Sequence, residues 1–285
     1  MSAPVAVVTG ASRGAGRGIA IALGSHGCTV YVTGRSEKPG DASLPGTIHE
    51  TAAAVDAAGG RGIPVRVDHG EDEQVRSLFE RIQNERGRLD ILVNNACALH
   101  DRLTAAGNFW EKPLEIVDML DVGLRSGYVA TYYAAPLMVR RRGGLVVFTS
   151  ASGAVHYVYG PAYGAHKAGM DKFAADMAVD FKAHGVAAVS VWMGALLTDR
   201  LRAVIASDPA KYGHLESSAE SPEFTGHVIW GLYNDPGLLA ISGQTVIGAE
   251  MALRYGIKDS NGRQPRSYRE THQVEPRVQY PNIIR

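Results

Sequence analysis

Short apolar runs alternate along the chain with segments whose apolar residues recur every three or four positions. Val5–Thr9, Thr29–Thr33, Gly62–Val67, Ile91–Val93, Leu145–Thr149 and Ala187–Val191 read as strands. Most are apolar at consecutive positions, the pattern of strands covered on both faces. Arg17–Ser25, Glu71–Glu85, Leu114–Arg141 and Gly164–His184 read as helices, and Ile241–Glu250 offers a last strand. This alternation predicts an α/β architecture, a doubly wound parallel sheet in a single domain over residues 1–257. Two stretches interrupt it. Ser36–Gly46 is a turn-rich insertion, and the polar segment Ser207–Phe224 suits a lid, placed at about residues 199–225. From Lys258 to Arg285 the periodicity fades and Arg, Pro and Asn accumulate, so residues 258–285 read as a C-terminal tail lying on the surface. A strap over the pocket or across a partner subunit is the alternative.

Composition narrows the classes. Hydrophobic residues make up 45% of the 285 and charged residues 20%, which fits a chain with a full core. The balance of 29 basic against 29 acidic residues gives no electrostatic case for nucleic acid. No apolar run approaches the ~20 residues that span a bilayer, and the N-terminus enters a strand without a signal-peptide pattern. Cys28 and Cys97 form neither a metal spacing nor a disulfide framework, so a reducing, cytoplasmic setting is expected and no metal is assigned.

The first strand leads into "TGASRGAGRGIA", with glycines at 10, 14, 16 and 18, and then a helix. Strand, glycine loop and helix together place backbone N–H groups and the positive end of a helix dipole around a phosphate pair. Side chains there would hold a pyrophosphate away, which is why the positions are glycine. The pattern is that of a Rossmann-type dinucleotide site. At the end of the second strand an NAD site usually carries a carboxylate; here Gly34 is followed by Arg35, and Arg13 lies in the glycine loop. Two guanidiniums suit a 2′-phosphate, so NADP(H) is expected over NAD(H).

Tyr163 and Lys167 stand four apart, on one face of a predicted helix. A phenol of pKa ~10 is a poor proton carrier at neutral pH. An ammonium ~4–5 Å away, at an effective dielectric near 20, favours the phenolate by roughly 3–4 kcal/mol, which predicts a lowered tyrosine pKa. Ser150 closes the preceding strand, and its hydroxyl is expected to hold the same substrate oxygen. Lys172 falls off this face and reads as a solvated charge.

"TGASRGAG" (Thr9–Gly16), "NNA" (Asn94–Ala96), "TSASG" (Thr149–Gly153), "YGAHK" (Tyr163–Lys167) and "MGALLT" (Met193–Thr198) resemble, in order and spacing, the short-chain dehydrogenase/reductase family. The resemblance implies a cofactor loop at Gly10, Ser12, Arg13, Gly14, Ala15 and Gly16. It implies an adenine contact at Asp68, a ribose-side segment at Asn94, Asn95 and Ala96, and a nicotinamide contact at Thr198. It casts Ser150 as the catalytic serine and Tyr163 as the general acid/base. Lys167 becomes the residue that binds ribose and tunes the tyrosine. It also implies a homodimer or homotetramer, with contacts through the helices around Leu114–Arg141 and Gly164–His184. Departures are Cys97, Met193 and His166 at family positions usually held by Gly, Pro and Ser, and Gly123 where many members carry an Asn of the proton relay. "DVGLR", "FWEKP", "VSVWMG" and "MALRYGIKDSNGRQPRSY" resemble the member 1 branch of the dehydrogenase/reductases, which implies NADPH-dependent reduction of steroid and xenobiotic carbonyls.

Trp110, Tyr157, Tyr159, Met193, Leu196 and Leu197 are candidate pocket walls, suited to a bulky, mostly apolar ketone. His156 and His166 read as packing or surface residues. The leading expectation is thus an oxidoreductase moving hydride between nicotinamide and a carbonyl or secondary alcohol. A non-catalytic nucleotide-binding protein of the same fold is the alternative, motivated by Gly123 and Cys97. An epimerase is disfavoured by the loop spacing.

Overall fold

A computed structural model describes residues 3–260 and 262–284. Asn261, within one of the quoted motifs, and Arg285, at the end of the expected tail, lie outside the described residues. Among the described residues seven parallel strands form one sheet: β1 (Val5–Val8), β2 (Thr29–Gly34), β3 (Arg61–Arg66), β4 (Ile91–Asn94), β5 (Gly144–Ser150), β6 (Val186–Trp192) and β7 (Thr245–Ile247). Their order is β3-β2-β1-β4-β5-β6-β7. From β1 the chain winds one way to β3 and then the other way to β7. The reversal between β1 and β4 opens a crevice at their carboxyl ends, where ligands of such sheets bind.

Strand alternation divides the core. Ala6, Val8, Val30, Val32, Val147 and Val189 face helices α1 (Gly14–Ser25) and α2 (Ile48–Ala57). Val5, Val7, Tyr31, Val146, Phe148 and Ala188 face α3 (Asp72–Arg86), α4 (Ser126–Arg141) and α5 (Pro161–Phe181). The central strands are buried along their whole length, whereas β3 shows exposed and half-buried positions. Pro64 sits there without disrupting the sheet because β3 is an edge. Helix α2 begins with a capping box, Thr47 and Glu50 satisfying each other's backbone N–H groups.

Two expected elements take a different form. Leu114–Arg141 is not one helix: a turn at Leu114–Met119 is followed by non-helical backbone at Val122 and Gly123, and α4 begins only at Ser126. Ile241–Glu250 contributes strand only at Thr245–Ile247. Before it, after α6 (Asp199–Ser207), α7 (Pro209–Tyr212), α8 (His214–Ser218) and α9 (Phe224–Tyr233), comes the short α10 (Leu238–Ile241). Gly243, at φ +88°, turns the chain into β7, and α11 (Gly248–Tyr255) follows. The segment expected as an irregular lid is thus largely helical. The C-terminal stretch divides in two. Through α12 (Tyr268–Thr271) to Val274 it packs back on the domain, whereas Val278, Tyr280 and Ile284 are 88%, 91% and 99% exposed.

Candidate active site

The glycine loop is held by the end of β4. Thr9 Oγ1 accepts the N–H groups of Asn95 and Ala96, both at 2.9 Å, and donates to the Val93 carbonyl at 3.2 Å. Asn95 Nδ2 donates to the carbonyls of Thr9 at 2.9 Å and Gly10 at 3.2 Å. Gly10 has φ +64°, and a Cβ there would lie 2.7 Å from Ala96 Cα. At Gly16 a Cβ would lie 2.3 Å from the Gly10 carbonyl oxygen. Asn94 is separate: its side chain donates to Thr131 Oγ1 at 2.9 Å, under α4. No side chain caps the N-terminus of α1. A cleft of about 500 Å³ opens beside it, lined by Arg13, Gly14, Arg17, Pro45, Thr198 and Glu223 among others. Free N–H groups at a helix start, positive φ at Gly10 and Gly14, and close approach at Gly16 fit a pyrophosphate. Ser12 is buried just before the helix, and Ala15, half-buried, lies in its first turn. Thr198 begins α6, its Oγ1 accepting the Leu201 N–H, and faces Gly14.

At the end of β2 the two expected arginines converge, with more partners than the sequence implies. Arg13 Nη2 donates to Ser36 Oγ at 2.8 Å and the Gly46 carbonyl at 2.7 Å, and Nε donates to the Pro45 carbonyl at 3.1 Å. It therefore ties down the Ser36–Gly46 insertion. Burial, and then the nearby charges of Arg35 and Arg200, lower its pKa. Arg35 is mostly exposed and lies 3.6 Å from Asp68, so a carboxylate does stand near this corner. Arg17 was not anticipated; it follows Arg13 by four, the spacing that puts both on one side of the helix start.

Tyr163 and Lys167 share α5, as their spacing predicts. Lys167 Nζ lies 5.6 Å from the centroid of the Tyr163 ring and donates to the Thr149 carbonyl at 3.2 Å. The sign of the tyrosine shift is a correction to the sequence expectation. Burial pushes Tyr163 up, with Tyr268, Tyr159 and Cys97 acting the same way. Burial likewise lowers Lys167, against opposing effects of Cys97 and Asp171. Low-dielectric surroundings disfavour either charge, which the simple ion-pair argument omits.

Ser150 is also a correction. Its side chain is fully buried, and Oγ donates to the Lys167 carbonyl at 3.1 Å, with Asp171 as a further partner. As the last residue of β5 it shares the face of Phe148 and points beneath α5, away from the crevice. Ser152, two residues on, hydrogen-bonds His156 Nε2 at 3.0 Å. Asp171, four beyond Lys167, was not anticipated. It accepts Ser190 Oγ–H at 2.6 Å and Trp192 Nε1–H at 2.9 Å and so pins α5 to β6.

Around the tyrosine, Tyr159 meets the Tyr163 ring edge-on at 5.2 Å, and Leu103, Ile116, Met119 and Ala162 pack beside it. Trp110 and Tyr157 are 70% and 76% exposed, at the rim rather than the wall. Leu197 lines the cofactor cleft. His166, expected as packing or surface, is buried and lies 3.8 Å from Cys97 Sγ, while its Nε2 has no partner among the described residues. A Cβ on Gly123 would approach that nitrogen to 3.0 Å, so glycine there makes room for the imidazole.

The family model of the short chain dehydrogenases matches residues 4–208, and this chain belongs to that family of nicotinamide-dependent oxidoreductases. Among known proteins it is similar to "Dehydrogenase/reductase SDR family member 1" of Mus musculus and of Homo sapiens. Each is 40% identical over 279 residues, covering 94% of this chain and 87% of the relative. A 3-oxoacyl-[acyl-carrier-protein] reductase of Synechocystis is 28% identical over 86% of this chain and 95% of its own. A solved putative dehydrogenase from Xanthomonas campestris superposes with a TM-score of 0.77 at 26% identity, covering 92% of this chain and 93% of that one. No helix among the described residues is long and apolar enough to cross a membrane.

Proposed function

We propose that the chain is an NADP(H)-dependent carbonyl reductase acting on bulky, mostly apolar ketones, or on the corresponding secondary alcohols. The observation that carries this reading is Tyr163 on α5, backed by buried Lys167, at the crevice that begins with the glycine cradle. The relatives named as dehydrogenase/reductases and as a 3-oxoacyl-[acyl-carrier-protein] reductase support the oxidoreductase class. Bound there, the nicotinamide cofactor supplies or accepts hydride. Gly10, Gly14 and Gly16 with the start of α1 hold its pyrophosphate; Asn95, Ala96 and Thr198 border it. Arg13, Arg35 and Ser36 bind a 2′-phosphate, and Asp68 stands at the adenine side.

Tyr163 then gives its proton to the carbonyl oxygen, or takes one from the alcohol. Burial keeps the phenol protonated at neutral pH, so Lys167 has to stabilise the phenolate as the proton leaves. Lys167, held by the Thr149 carbonyl, keeps two donors for the ribose and the phenol. Ser150 fixes α5 beneath the tyrosine rather than touching the substrate. Copies of the chain associate through α4 and α5, where Tyr128 and Tyr132 are 50% and 64% exposed beside Phe173.

A second reading, a nucleotide-binding protein without catalysis, is favoured by Ser150 alone, whose hydroxyl is turned from the crevice. Titration with NADPH and NADH, followed by loss of reduced-nicotinamide absorbance with a ketone panel, separates the two. Turnover with NADPH preference supports the first; tight NADPH binding with no turnover supports the second.

A further inference from the structure

The C-terminal strap packs against the loop that follows β6 and the turn that follows β5. Asp259, 5% exposed, accepts the Ser221 N–H at 3.0 Å. Gln264 donates to the Ala249 carbonyl at 3.1 Å, and Arg269 pairs with Glu250 at 3.0 Å. These contacts seat Tyr268 edge-on to Trp192, with ring centroids 6.3 Å apart. Its hydroxyl donates to the Met193 carbonyl at 3.0 Å, and its ring packs in one cluster with Ala154 and Val155 of the turn that Ser152 opens.

Within the turn, Ser152 Oγ and His156 Nε2 hydrogen-bond across 3.0 Å. Tyr268 thus touches two parts of the site, the Ser152–His156 turn through its ring and Met193 through its hydroxyl. The Ser152–His156 turn includes Gly153, whose Cβ position is 2.6 Å from the Tyr163 ring. Met193 opens the loop that ends at Thr198 in the cofactor cleft. Tyr268 and Tyr163 are near enough that charge on either disfavours charge on the other, and Glu220 faces Tyr268 as well.

We propose that Tyr268 is a positioning residue of the active site. From the strap, it fixes the Ser152–His156 turn against Tyr163 and the Met193–Thr198 loop beside the cofactor cleft, and so sets how a carbonyl substrate is seated. This rests on the carbonyl-reductase reading for its substrate but not for its geometry. The test is Tyr268→Phe in the full chain, which keeps the ring and removes the hydroxyl. Backbone hydrogen exchange at residues 193–198 and 152–156 is expected to quicken several-fold with the melting temperature little changed. The KM for a ketone is expected to rise roughly five- to tenfold, the effect of one part-buried hydrogen bond, with NADPH affinity unchanged. Deleting residues 275–285 leaves both readouts at wild-type values, whereas deleting 258–285 matches or exceeds the Phe variant. Wild-type exchange and KM in Tyr268→Phe overturn the proposal. So does a loss of equal size on deleting 275–285, or one shared by NADPH binding and global stability. Were the wild type to reduce no carbonyl, the functional reading would fail on that ground, and the exchange measurement would decide the role of Tyr268 alone.

Discussion

The hydroxyl of Ser150 donates to the main-chain carbonyl of Lys167, 3.1 Å away, so this serine braces the helix that carries Tyr163 and Lys167. Replacing it with alanine removes that brace and leaves the Lys167 carbonyl with its intrahelical partner alone. Ser150→Ala is therefore expected to cost about 1 kcal/mol of stability, a melting shift of about 2–4 °C. Turnover should fall much less than in Tyr163→Phe. Calorimetry with steady-state kinetics checks this; unchanged melting with turnover lost as fully as in Tyr163→Phe would return Ser150 to the crevice.

Gly16 lies against the Gly10 carbonyl and Asn95 Nδ2, both within 2.5 Å of where a Cβ would stand. Backbone leaves that space nowhere to go. Gly16→Ala is expected to spread the loop at about 1–3 kcal/mol, roughly a ten- to hundredfold loss of nucleotide affinity. Fluorescence titration with NADPH reads it directly.

Arg35 has a mostly exposed side chain beside Arg13 and Ser36. Arg35→Ala should weaken NADPH binding roughly tenfold or more, the scale of one charge-assisted bond, and leave NADH nearly untouched. Arg13→Ala should weaken both nucleotides, because it also frees the insertion at Pro45 and Gly46. Equal losses for the two nucleotides in Arg35→Ala would remove the 2′-phosphate assignment.

Two buried groups give stability opposite slopes with pH. His69, fully buried against Thr33, is pushed down to about 4 by burial. The unfolded chain binds its proton first, so this contribution is present above ~6.5 and is lost as pH falls toward 4. Burial pushes Glu220 up to about 7, against the Gly194 N–H that it accepts. Here the folded chain holds the proton, so stability is full below ~4.5 and is lost as pH rises through 7. Glu220→Gln is expected to gain on the wild type between pH 5 and 8 by up to about 3 kcal/mol. Denaturant midpoints across that range show it; parallel curves would mean that Glu220 is charged in the fold.

Much of this was legible in the sequence. Six strands, the glycine loop and the Tyr163–Lys167 face follow from periodicity and spacing, because buried parallel strands and an i, i+4 pair leave plain patterns. Ser150 was misplaced although its parity with Phe148 in β5 carries the signal: strand residues two apart share a face. Helix α2 went unassigned although Thr47-x-x-Glu50 marks its start. The break at Val122–Gly123 was hidden because apolar spacing continues across it, and only the long-range contact with His166 explains the glycine there. The strap stood only as the alternative to a surface tail for a related reason: its anchors are single polar bonds to Ser221, Ala249 and Met193, which leave no periodic trace.

Tyr163 is the proposed proton carrier of a nicotinamide-dependent reaction, and the most direct measurement compares wild type with Tyr163→Phe. Both would be titrated with NADPH and then assayed for reduced-nicotinamide consumption with a bulky ketone. Equal NADPH affinity and a turnover lower by at least about a hundredfold are expected in the variant, the scale of general acid catalysis. Turnover in Tyr163→Phe near the wild-type rate would contradict that role.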